Sequence, residues 1–182
     1  MSELSVFSEE ESELLVSVLY KVGVWVSHAD DEDGEVDDIR EMKALGACIR
    51  AVAKKYDGPG LVDDLARAVL RSEDQWAAWT DYSFNVLPVC EKALAVMRLH
   101  GTKDDLKNYK MALVEVGTTV AMAYGEFGQY DDGDDKGLFG VLLGKITAGF
   151  SGLGANDKNH PMNVSASEDG VLCALKALLK EA

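Results

Sequence analysis

The chain of 182 residues is poor in proline, with only Pro59, Pro88 and Pro161, so long helices are permitted over most of its length. It has three cysteines, Cys48, Cys90 and Cys173, and no CxxC spacing. A disulfide framework or a thiolate zinc site is therefore not expected. Each cysteine lies among apolar residues and reads as core, and an odd, scattered count suits a reducing cytoplasm. Basic residues are few, 18 against 32 acidic, for a formal charge of −14. That balance repels phosphate backbones and anionic membrane surfaces, so neither nucleic acid nor a lipid surface is an expected partner. No apolar run approaches 18 residues, which argues against membrane insertion. The acidic start, MSELSVFSEEESE, has none of the basic and apolar character of a secretory leader, and a cytoplasmic location is expected. No alternating pattern competes for strands.

What is present is helical punctuation. Ser8-Glu9-Glu10-Glu11 reads as a capping box, in which a hydroxyl accepts from the third amide and the carboxylate reaches back. Ser72 to Gln75, Thr102 to Asp105 and Ser165 to Glu168 have the same form. Apolar residues at helical spacing follow, for example Ile39, Met42, Leu45, Ile49 and Val52. Asp57-Gly58-Pro59-Gly60 must break a helix. The expected architecture is all-α with about seven helices, near 9–29, 37–56, 61–71, 73–100, 103–124, 135–150 and 167–181, with Pro88 splitting or kinking the fourth. The stretch 151–166 reads as a polar loop. At 47% apolar content and this length, one domain spanning 1–182 can bury a sufficient core unaided.

A repeat runs through the chain. Residues 22–46, VGVWVSHADDEDGEVDDIREMKALG, align without a gap on 116–140, VGTTVAMAYGEFGQYDDGDDKGLFG, at an offset of 94. Nine of the 25 positions are identical, among them Val22/Val116, Gly23/Gly117, Val26/Val120 and Asp37-Asp38/Asp131-Asp132, where composition alone gives about two. Both copies read as apolar helix, acidic glycine-containing loop, apolar helix. The expectation is two helical hairpins, within 9–60 and 103–154, related by a pseudo-two-fold.

The acids carry the candidate chemistry. Residues 28–38, HADDEDGEVDD, hold seven carboxylates in eleven positions. Asp37, Asp38 and Glu41 in one copy match Asp131, Asp132 and Asp135 in the other. Spacing of i, i+1 and i+4 at a helix start groups three carboxylates around one turn. Acids there also favour the helix dipole, and Asp37 fits an N-cap, so a solvated acidic face explains part of the pattern. Asp30, Asp33 and Glu126 add further charge. Like charges this close repel by about 1 kcal/mol per pair at surface dielectric. A hard divalent cation, Ca²⁺ foremost, relieves that by taking 6–8 oxygens. An EF-hand register fails: with Gly34 at loop position 6, Ala29 falls at position 1 and Arg40 at position 12, where ligands are required. The alternative is a metal-free acidic face that docks a basic protein.

The stretch Ala29-Asp30, Asp33-Gly34-Glu35-Val36 and Glu41 resembles the helix–loop–helix signature of TerB-like domains, the tellurite-resistance family. The likeness covers about 25 residues in each half. It departs from the family pattern in having four acids between Ala29 and Gly34, a Glu41 set one residue late, and Ala123-Tyr124-Gly125 in place of the second Ala-Asp-Gly. The resemblance implies an all-helical domain of two similar hairpins. It also implies a stress-response role exercised by metal binding rather than catalysis, and no organic cofactor.

Other chemistries find little purchase. No Glu-x-x-His spacing for a di-iron bundle occurs, and no GxxxxGK[ST]. His28, His100 and His160 are scattered, and His28 beside Asp30 reads as a cap or surface residue before a ligand. A two-carboxylate hydrolase lacks a nameable third partner. The glycine-rich apolar stretch 138–154 reads as a packing surface. Trp76, Trp79 and Tyr82 share a helical face and read as core.

Overall fold

A computed structural model describes the backbone of residues 3–30, 36–56, 58–81, 86–127 and 166–181, and their side chains apart from 30, 36–44, 122–127 and 166. These residues form seven α-helices and no strand: α1 Glu9–Ser27, α2 Val36–Lys55, α3 Leu61–Arg71, α4 Trp76–Thr80, α5 Leu87–His100, α6 Lys103–Phe127 and α7 Ala166–Glu181. Short 3-10 turns cover Glu3–Val6, His28–Asp30 and Glu73–Gln75. The expected helix at 135–150 and the expected loop at 151–166 lie outside the described residues, except that Ala166 opens α7. No helix among the described residues is long and apolar enough to cross a membrane.

Local chemistry sets most boundaries. Ser8 caps α1 reciprocally with Glu11: the Glu11 amide donates to the Ser8 hydroxyl at 3.2 Å, and the Ser8 amide to the Glu11 carboxylate at 2.8 Å. Thr102 and Asp105 repeat the arrangement at the start of α6, at 3.1 and 2.9 Å. Ser72 departs from expectation. It closes α3 instead, its own amide bonding back to Ala68 and Val69, and its side chain makes no cap bond. The expected fourth helix is divided: α4 ends at Thr80, and α5 opens with Pro88 in its first turn, where a missing N–H costs nothing.

Helix α1 is central. Residues 15–20 are all buried, so this helix is covered all round rather than on one stripe. It packs against α2 to α7, with α6 as its main partner. Cys48 and Cys90 are in the core, and burial pushes both thiols up to about 12. Cys173 does not follow the expectation: it is exposed on α7. Apolar neighbours in sequence did not place it inward, because α7 buries Leu172, Leu175 and Leu179 on another face. Trp79 is buried, and Trp76 stacks on Tyr20 at 4.9 Å, consistent with core packing; Tyr82 lies outside the described residues.

The contact between α1 and α6 is reciprocal. The Tyr109 hydroxyl donates to the Leu15 carbonyl at 2.9 Å, and these two residues are 94 apart. A Cβ on Gly23 would lie 3.4 Å from Val120, and a Cβ on Gly117 3.4 Å from Val26. With the 94-residue offset those are the same contact made twice, as a two-fold requires. Residue numbers rise together along both helices, so α1 and α6 run side by side in the same direction. The glycines permit this close approach, and they are among the positions the repeat preserves.

Candidate functional site

Two registers decide where the acid-rich stretches begin. Because α1 and α6 are parallel, their C-terminal ends leave the bundle at the same end. The His28–Asp30 turn continues from α1 there and packs against α7. Helix α2 runs the other way along α6. Cys48 approaches the Thr119 carbonyl at 3.9 Å, and further along α2, Lys55 and Tyr56 reach back to Glu115. From the Cys48–Thr119 level, Glu41 is seven residues back along α2 and Glu126 seven residues on along α6 (48 − 41 and 126 − 119). At 1.5 Å per residue both are about 10.5 Å along, so they stand level.

The sequence-derived acids therefore divide into two groups. Asp30 ends the 3-10 turn after α1, Asp37, Asp38 and Glu41 occupy the first two turns of α2, and Glu126 is in the last turn of α6. The backbone brings these five toward one end of the bundle; their side chains are not among those described. Since α2 begins at Val36, Asp37 is inside the helix rather than its N-cap. Asp33, Asp131, Asp132 and Asp135 lie outside the described residues. Among the described side chains, which include none of these nine acids, no group of three or more histidine, cysteine or carboxylate side chains could hold a metal.

The opposite end of α2 holds a cluster that the sequence reading missed. Glu115 of α6 is only 1% exposed. Its two carboxylate oxygens accept from consecutive residues, Lys55 Nζ at 2.5 Å and the Tyr56 hydroxyl at 2.7 Å. Burial raises the Tyr56 phenol well above its ordinary range, with its bond to Glu115 and the charges of Glu115 and Asp63 acting in the same direction. A buried carboxylate is tolerated only when paired and hydrogen-bonded. The cluster clamps the C-terminus of α2 to α6 and so fixes the register just described. Beyond it, the turn is stitched by Asp63, which accepts from the amides of Gly58 at 2.6 Å and Gly60 at 3.0 Å, and by Arg67, which donates to the Gly58 carbonyl. The available signal was a single acid in the apolar stretch Ala112-Leu113-Val114-Glu115-Val116.

His100 pairs with Glu11 at 3.2 Å, far along the chain from His28, and its ring meets Phe7 edge-on. The Ser8 amide chiefly, with the hydroxyl of Ser8 and His100 assisting, holds the Glu11 carboxyl below its ordinary range. This pair joins the start of α1 to the end of α5.

No protein-family model, no curated protein and no solved structure matches the chain.

Proposed function

We propose that this protein is a non-catalytic, TerB-like domain that binds a divalent cation, Ca²⁺ foremost, in a stress-response or signalling role. One observation carries the reading: Glu41 near the start of α2 stands level with Glu126 near the end of α6 while α1 and α6 run parallel, so both acid-rich stretches begin at one end of the bundle. Two such stretches from the repeat halves would raise each other's charge repulsion, and a cation bound between them would relieve it. The ligands are assigned to Asp37, Asp38, Glu41, Asp131, Asp132 and Asp135, with Asp30, Asp33 and Glu126 in support.

Melting with and without cation tests the assignment. A cation at a hundredfold its dissociation constant stabilises by about 2.7 kcal/mol. For a chain of this size that is a rise of roughly 5–11 °C. Millimolar Ca²⁺ is expected to raise the midpoint, and Asp37→Asn combined with Asp131→Asn to abolish the rise. Midpoints unmoved by Ca²⁺, Mg²⁺ and Mn²⁺ would overturn it. The net charge of −14 favours one other reading, a metal-free acidic face that docks a basic protein. Direct binding of a basic partner that weakens steeply with salt, in the absence of any cation effect, would support that instead.

A further inference from the structure

We draw no further inference here: the strongest candidate, the adjacent buried hydroxyls of Thr118 and Thr119 on α6, neither of which has a hydrogen-bond partner among the described residues, carries nothing because the described residues do not show what faces them.

Discussion

Helices α1 and α6 are one element used twice, yet equivalent positions in them hold opposite charges. Lys21 of α1 corresponds to Glu115 of α6 at the 94-residue offset. Glu115 is buried and bound by two donors; Lys21 is half-buried, and burial lowers its ammonium below the ordinary range while the charge of Glu13 partly restores it. Where the two helices approach at their glycines, the residues are the same, Val22 and Val116, Gly23 and Gly117, Val26 and Val120, whereas at the Tyr109–Leu15 contact the equivalent positions differ. The repeat is thus kept at the close glycine approach, where a two-fold contact demands identical shapes. It is lost where each helix faces a different neighbour. At the clamp, the residues 94 beyond Lys55 and Tyr56 are Gly149 and Phe150, which offer no side-chain cation or hydroxyl for such a clamp.

The largest expected effect breaks this asymmetry. Glu115→Ala removes the acceptor of a half-buried phenol and the counter-charge of Lys55, and should cost about 3 kcal/mol. Lys21→Ala should cost well under 1 kcal/mol, as expected for a half-buried side chain whose charge Glu13 offsets only in part. Urea denaturation of the two variants measures the difference. Equal losses would mean that the clamp contributes no more than an ordinary partly exposed side chain.

The glycine pair sharpens the comparison where the halves agree. A Cβ on Gly23 would come within 2.7 Å of Leu45 Cδ1, whereas on Gly117 the nearest atom, Leu172 Cδ2, is at 3.0 Å. Alanine gains up to about 1 kcal/mol over glycine in a helix. Overpacking costs about 1–3 kcal/mol. Gly23→Ala should therefore be destabilising by about 1 kcal/mol, and Gly117→Ala close to neutral, in thermal melts.

The caps should be near equals. Ser8→Ala and Thr102→Ala should each cost about 1 kcal/mol, because each hydroxyl satisfies the same amide of its helix. A loss at Ser8 much larger than at Thr102 would show that the Glu11–His100 pair depends on the cap.

The smallest effect concerns pH. The Glu11 carboxyl lies below its ordinary 4.5 in the folded chain, so its contribution is present above 4.5 and declines as pH falls through the lower folded value. The pH profile of the melting midpoint for Glu11→Gln should accordingly converge on wild type in acid. Tyr56 acts in the opposite range: its phenol is raised in the fold, so stability should fall as pH climbs past about 10, and Tyr56→Phe should lessen that decline.

The parts legible in the sequence were those with local causes. Ser8–Glu11 and Thr102–Asp105 declared two helix starts through hydrogen bonds spanning four residues, and Pro88 declared the division of the fourth expected helix. Ser72 misled because its surroundings match a capping box while its backbone already closes α3. Cys173 misled because apolar neighbours in sequence can lie on another face of a helix. The internal repeat pointed to a two-fold, and the α1–α6 contact follows it. The clamp was hidden because Glu115 is about sixty residues from Lys55 and Tyr56, and no local pattern joins them. For the acid-rich stretches, the sequence names candidate residues, and the register of α2 on α6 adds where the stretches begin.

The account is tested most directly by calorimetric titration of Ca²⁺ into the wild-type protein and into Asp37→Asn and Asp131→Asn separately. It predicts a saturable binding event in the wild type that either substitution weakens, since each half of the repeat contributes to one site. Absence of heat, or an event that one substitution removes and the other leaves untouched, would contradict a shared site.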